Sequence, residues 1–332
     1  MIPTQNVYTS NSPKNINPHG NIKSNKNVHE ESNPLSSFFR KSKLSITLPS
    51  KGKWYPEGIL VLNDSGELDI YAMTASDDIK FRTGDATLSG QNIYDVIKSC
   101  APGILKPEVI PHIDIDTILL AIRTASYGGE FDFTVSVPNT TMTKVIRLNS
   151  HQLLSSVAKR AESWDEEIII EDETGQKLFL IVTPIPISNL FHTSKTIYQH
   201  RMALNSSLDA GEGIKDEAAF ISSLNNLSKS SIDLLCSSIK QLKIIDKNGN
   251  ELISLSDSNP QDSVKIISTI NEIDIAYFNA IRNHIDEQRK KYTFYSPKQI
   301  STQEELLAGA TKEWTAELTF MGSNFLPNSN II

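Results

Sequence analysis

Three times along the chain, a short apolar run meets an Asp- or Asn-led turn ending in Gly, and apolar residues then resume. Ile59-Leu60-Val61-Leu62 enters Asn63-Asp64-Ser65-Gly66, with Leu68, Ile70 and Ala72 alternating on the return. Ile168-Ile169-Ile170 enters Asp172-Glu173-Thr174-Gly175 and continues from Leu178 to Val182. Leu242-Lys243-Ile244-Ile245 enters Asp246-Lys247-Asn248-Gly249 and continues at Leu252-Ile253. Runs this short favour strands over helices, and a Gly that accepts positive φ at low steric cost closes the reversal, so each unit reads as a β-hairpin. Segments with helical period lie between the hairpins. The chain is therefore expected to be α+β, and neither a helical bundle nor a β-sandwich. The hairpins are irregularly spaced in different surroundings, which argues against a repeat array.

Further elements follow from period and punctuation. Leu44, Ile46 and Leu48 alternate with Ser45 and Thr47 as a half-buried strand, which Pro49 ends. Ser89 is a candidate cap for a helix with the apolar face Ile93, Val96, Ile97 and Cys100, stopped by Pro102-Gly103. Asp114 or Asp116 is a candidate cap for the next helix. Its face is Ile115, Ile118, Leu119, Ile122 and Ser126, its stop is Gly128-Gly129, and it is expected in the core. Strands are expected over Phe131 to Val137 and Val145 to Leu148. After Pro186 the pattern turns mainly helical: Leu190 to Leu204, Glu217 to Leu227, Ile232 to Ile239, Asp262 to Ile270 and Ile273 to Gln288, with a linker over Asn205 to Gly213. Strand pattern returns at Tyr292 to Tyr295 and Trp314 to Phe320. The expected organisation is an arm over residues 1–38 and a mixed α/β domain with antiparallel hairpins over 39–187. A mainly helical region with one hairpin follows over 188–290, and C-terminal strands over 291–332.

The arm is rich in Asn, Ser, Pro and Lys, and buries too little apolar surface to offset its chain entropy. It is expected to be disordered alone. It reads either as a passive tail or as an extended segment that orders against a neighbouring subunit. In the second case Val7, Tyr8 and Val28 are its anchors, with Leu35, Phe38 and Phe39 at the domain entrance. Lys14, Lys23 and Lys26 make it locally basic.

Charge and motifs narrow the function classes. The formal net charge is -7, which disfavours generic binding to nucleic acid or anionic membrane. No apolar run approaches the roughly 18 residues of a membrane span. The N-terminus lacks signal-peptide character, so folding in a cytoplasm is expected. Two cysteines, Cys100 and Cys236, belong to no pair motif. Phosphate-loop, dinucleotide, nucleophile-elbow and zinc-protease signatures do not occur. His192 and His200 stand eight positions apart on one predicted helix, too far to share a metal easily. No catalytic, cofactor or metal residues are assigned.

Acidic pairs occur at Asp77-Asp78, at Asp114 and Asp116, and within Asp165-Glu166-Glu167. Paired carboxylates suit acid–base work or a hard cation, but capping and solvated turns are the plainer roles. Arg123 lies in an otherwise apolar helix, where a buried guanidinium needs a partner. A partner among Asp77, Asp78 or a backbone carbonyl is expected, most of all an ion pair with Asp77 or Asp78, with recognition of an anionic ligand as the alternative.

Four segments then carry a resemblance. They are Leu48-Pro49-Ser50-Lys51-Gly52-Lys53-Trp54-Tyr55, Met73-Thr74-Ala75-Ser76-Asp77-Asp78 after a strand, and Thr83-Gly84 leading to a helix ending Ile97-Lys98-Ser99-Cys100. The fourth runs from Asp116 through Arg123 to Gly128. In this order they resemble the T4-type phage baseplate protein family, whose members are hub and hub-assembly proteins. The likeness is closest over about residues 43 to 137 and continues as element order. Thr134 to Lys144 lacks the cysteines that some relatives carry there, so the resemblance brings no zinc role to this chain.

The resemblance implies a non-enzymatic structural component of a contractile tail baseplate, located in the virion. Its implied partners are other baseplate hub and wedge proteins, with the tail tube or tape-measure protein as further candidates, in a multi-subunit assembly without nucleic acid, membrane or cofactor. A transient assembly factor or chaperone for hub or tape-measure proteins is the alternative. An acid–base enzyme resting on the carboxylate pairs is a remote one.

Overall fold

A computed structural model describes residues 40–82, 90–160, 163–206, 208–209, 213–214 and 217–320. Its elements, in chain order, are β1 (Ser42–Ile46), β2 (Leu68–Tyr71), α1 (Ala75–Arg82), α2 (Gln91–Cys100), α3 (His112–Tyr127), β3 (Glu130–Ser136), β4 (Thr143–Asn149) and α4 (Ser150–Ala158). There follow β5 (Glu167–Glu171), β6 (Lys177–Val182), α5 (Ile187–Ser206), β7 (Leu208–Asp209), β8 (Gly213–Ile214), α6 (Glu217–Cys236), β9 (Ile239–Ile245), β10 (Glu251–Ser256), α7 (Pro260–Glu272) and α8 (Ile275–Lys290). The described chain closes with β11 (Phe294–Tyr295), β12 (Gln299–Ile300), α9 (Gln303–Leu307), β13 (Glu313–Trp314) and β14 (Glu317–Leu318). The fold is mixed α+β with antiparallel pairing throughout these strands, as the sequence pattern predicts.

Helix α3 is the axis of the first core. Ile118, Leu119, Leu120, Ala121 and Ile122 are all fully buried, so this helix is covered on every side instead of along one stripe. Gly128 ends it with φ 94°, and its N–H bonds to the Thr124 carbonyl at 3.0 Å. Ile93, Val96 and Ile97 of α2, Leu68 and Ile70 of β2, and Phe131, Phe133 and Val135 of β3 join the same cluster. So do Phe294, Trp314, Leu318 and Phe320 from the far end of the sequence. Phe320 meets Phe133 and Phe294 edge to face, with ring centroids 5.6 and 5.7 Å apart. Edge-to-face pairs of this kind add to the burial of their ring surfaces.

The second and third predicted hairpins form as β5–β6 and β9–β10, and they lie side by side. The sheet order is β10-β9-β6-β5, with Leu180 opposite Leu242 at the central seam. Both turns use one chemistry. Asp172 Oδ1 accepts the N–H groups of Thr174 and Gln176, and Asp246 Oδ1 those of Asn248 and Asn250, while Gly175 and Gly249 take φ of 81° and 88°. Ile168, Leu180, Leu242 and Leu255 face Ile266 and Ile270 of α7 and Ile281 of α8 in a second core.

The first predicted hairpin is corrected. Its turn exists, with Gly66 N–H bonding to the Asn63 carbonyl at 2.9 Å, but Ile59 to Leu62 is not a strand. Strand β2 pairs with β1 instead, Leu68 opposite Ile46 and Ile70 opposite Leu44. The displaced run lies against residues 103–105, where Val61 N–H reaches the Gly103 carbonyl at 2.8 Å. A Cβ at Gly103 would stand 2.4 Å from the Val61 carbonyl oxygen, so only glycine admits this approach.

Other boundaries also move. Glu217 to Leu227 and Ile232 onward belong to one continuous helix, α6, and Ile239 begins a strand. Helices α1 and α4 were not expected; Asn149 caps α4 by accepting the Gln152 N–H at 3.1 Å. Ser89, the candidate cap, lies outside the described residues, and α2 starts after Gly90, whose φ is 70°.

Candidate functional site

On a helix buried on all sides, each polar group left without a partner is costly. Helix α3 carries several, and their partners organise the surrounding loops. Asp114 is fully buried. Its Oδ1 accepts the Ser50 N–H at 2.8 Å, and its Oδ2 accepts the Ser50 hydroxyl at 2.5 Å and the Tyr55 hydroxyl at 3.0 Å. These bonds hold the Pro49–Tyr55 loop, in which Lys51, Gly52 and Trp54 all take positive φ. Burial pushes the Asp114 carboxyl up to about 6, against the lowering effect of the Ser50 and Tyr55 hydrogen bonds. The expectation that Asp114 or Asp116 caps α3 is therefore corrected. The helix begins at His112 behind Pro111, with no side-chain cap. Asp116 accepts the backbone N–H of Phe320 at 2.6 Å, and burial raises it too, to about 6.

Asp77 and Asp78 lie in the first turn of α1. Thr74 and Asp77 form a reciprocal cap: Thr74 N–H donates to Asp77 Oδ2 at 2.8 Å, and Asp77 N–H donates to Thr74 Oγ1 at 3.2 Å. The Ser99 hydroxyl adds a bond to Asp77 at 2.9 Å, and Arg40 stands 3.6 Å away. Asp78 pairs with Arg82 at 2.9 Å and accepts the Tyr127 hydroxyl. Thr74-x-x-Asp77 was readable as a capping box, and it is the signal that sequence reasoning passed over.

Arg123 is buried, only 3% exposed, but among the described residues it forms no ion pair with Asp77 or Asp78. Its guanidinium lies over the Phe131 ring at 4.1 Å and near Tyr127 at 5.9 Å, and its Nε has no hydrogen-bond partner. The expected pair is corrected for a steric reason. Arg40 and Arg82 reach the two carboxylates first, and the aromatic side chains of Tyr127 and Phe131 receive Arg123. Burial draws its pKa down.

The remaining acidic cluster is also structural. Glu166 accepts the Trp54 indole N–H at 2.8 Å and the Lys53 ammonium at 2.7 Å, and Glu167 opens β5. Val7, Tyr8 and Val28 lie outside the described residues. Cys100 and Cys236 are free and buried, and burial pushes both thiols up to about 12. No group of three or more potential metal-binding side chains occurs among the described residues. No helix among them is long and apolar enough to cross a membrane.

A cleft of about 370 Å³ opens beside the start of α3. His112, Trp164, Ile185, Leu190, Leu234, Leu235, Phe278 and Ile285 line it. The His112 ring meets Trp164 edge to face at 6.0 Å, its Nδ1 faces the Ile185 carbonyl at 3.3 Å, and burial lowers its pKa to about 4. Arg282, Asp286 and Arg289 of α8 also line the cleft, and both arginines are exposed. The cleft can hold an apolar group, and the Ser231 and Ser238 hydroxyls that line it bond to the Leu227 and Leu235 carbonyls.

Three of the four segments that carry the family resemblance are joined by hydrogen bonds, and the first is held by Asp114, two residues before the fourth. Ser50 and Tyr55 hold Asp114 near the start of α3, Asp77 holds Ser99, and Asp78 holds Tyr127. No curated protein and no solved structure matches the chain. A family model, described as T4 bacteriophage base plate protein, matches residues 41–304, and the chain belongs to that family of baseplate structural proteins.

Proposed function

We propose that the chain is a hub-associated subunit of a contractile tail baseplate, and that it works by binding other proteins rather than by catalysis. The observation that carries this reading is a set of large apolar side chains left in water on the packed helices α5 and α6. Tyr198 and Met202 are four residues apart on α5, and Ile221 and Leu224 three apart on α6, all more than 40% exposed. Each pair therefore forms one stripe. Scattered exposed apolar residues need no explanation, but stripes on two adjoining helices are what a protein interface uses. The carboxylates that suggested acid–base chemistry are engaged by Ser50, Tyr55, Thr74, Arg40 and Arg82, which supports a structural role.

The partners in this reading are hub and wedge proteins, with the tail tube or tape-measure protein as further candidates. The arm with Val7, Tyr8 and Val28 contributes contacts of its own. Mass spectrometry of purified particles tests the assignment, with the chain expected in finished tails. A Met202→Asp, Ile221→Asp double variant is expected to melt as the wild type does and to enter particles poorly. Presence in infected cells with absence from particles would assign the transient assembly role instead. Normal incorporation of the double variant would remove α5 and α6 from the binding surface.

A further inference from the structure

The cleft beside His112 has a chemistry that no structural role above uses. Much of its lining is apolar, from Trp164, Ile185, Leu234, Phe278 and Ile285. Its charged lining is two arginines and one aspartate. Arg282 and Arg289 are seven residues apart on α8, two helical turns and about 10 Å along the axis, so they project from the same face. Arg282 is exposed and has no hydrogen bond or ion pair among the described residues. Among the described residues Arg289 has one ion partner, Asp286 at 3.9 Å, with half of its side chain exposed. One carboxylate cannot neutralise two guanidiniums, and His112 adds no negative charge. In a chain of net charge -7, two arginines and one aspartate lining an apolar pocket are a local reversal of sign.

We propose that this cleft is a docking site for an acidic segment of a neighbouring baseplate chain. One large apolar side chain of that segment fills the pocket, and a flanking Asp or Glu pairs with Arg282 and Arg289. The proposal rests on the protein-binding reading given above. The two parts of the site divide the work: burial of the apolar anchor supplies affinity, and the arginines select the acidic flank and its orientation. Arginine suits this task because its planar donors match a carboxylate two bonds at a time. A pocket of about 370 Å³ is large enough for one or two apolar side chains but too small for a whole helix face.

The test uses the full chain in assembled particles. Ser231 lines the cleft and is exposed, so Ser231→p-benzoylphenylalanine is expected to leave the fold intact, which an unchanged melting temperature checks. Irradiated, purified particles are digested, and the cross-linked peptide is sequenced. The expected product is a segment of a different baseplate chain, with a large apolar residue within a few positions of Asp or Glu. An Arg282→Glu, Arg289→Glu variant is expected to lose roughly tenfold in cross-link yield, and the corresponding double Lys variant, which keeps the charge without the paired donors, to lose less. A cross-link to a segment without acidic residues, to a second copy, or to this chain's own residues 1–39 or 321–332 overturns the proposal. So does a yield indifferent to the charge reversal, or no cross-link at all in particles that contain the chain. Absence of the chain from particles would overturn the baseplate-subunit reading together with this one.

Discussion

Ser50 and Asp114, 64 positions apart, are joined twice: the Ser50 backbone N–H donates to Asp114 Oδ1 at 2.8 Å, and the Ser50 hydroxyl donates to Oδ2 at 2.5 Å. With Tyr55 as third donor, the carboxylate ties a positively twisted loop to the central helix. Asp114→Ala removes the acceptor of three buried or partly buried donors, and is expected to cost roughly 2–4 kcal/mol in urea unfolding. Asp114→Asn keeps one good acceptor and is expected to cost about half as much. A neutral Asp114→Ala would show that the loop is held by something else.

The pH dependence follows from the same burial. Asp114 sits at about 6 in the folded chain against an ordinary value of 3.8. Between these values the folded state binds more protons than the unfolded one. Stability from this group is therefore present at pH 4 and is lost as pH rises toward 6, by roughly 3 kcal/mol at most. His112, lowered to about 4, acts in the opposite direction over the same range. The expected result is a difference: the gap in unfolding free energy between wild type and Asp114→Asn should widen at pH 4.5 and narrow at pH 7. A constant gap across that range would contradict the raised value.

Arg123 has no ion pair to lose among the described residues, and its Nε is buried without a partner. The cation–aromatic contact with Phe131 is worth about 0.5–2 kcal/mol, and desolvation of the guanidinium opposes it. Arg123→Met is expected to change stability by less than about 1.5 kcal/mol in either direction, whereas Phe131→Ala should cost about 3–5 kcal/mol. Calorimetric melting of both variants separates this from a buried salt bridge, which would make Arg123→Met the larger loss.

Two glycines give a contrast. A Cβ at Gly103 meets the Val61 carbonyl oxygen at 2.4 Å, and that obstacle is backbone. A Cβ at Gly129 meets the side chain of His151 at 2.4 Å, and His151 is exposed and free to turn away. Gly103→Ala is expected to cost about 2–4 kcal/mol, and Gly129→Ala under about 1 kcal/mol. Equal melting temperatures for the two variants would contradict the close approach of residues 61 and 103.

Local order was legible in residue pattern because its causes are local. Asp-led turns with Gly at positive φ announced the hairpins at 172–175 and 246–249, and the period of Ile115, Ile118, Leu119 and Ile122 announced a core helix. The cap at Thr74 and Asp77 was equally local and went unread. Partner choice was not legible, since several strands offer the same backbone donors and acceptors. Strand β2 had two apolar runs within reach, and the tertiary packing of β1 on α3, with Gly103 admitting residue 61 elsewhere, selected between them. The same holds for charge. Sequence placed Asp114 at a helix start and Arg123 near two carboxylates, but a side chain bonds to whatever three-dimensional packing brings within about 3 Å. Only the fold could bring Ser50 to Asp114, Phe320 to Asp116, and Arg40 and Arg82 to the carboxylates that Arg123 was expected to hold.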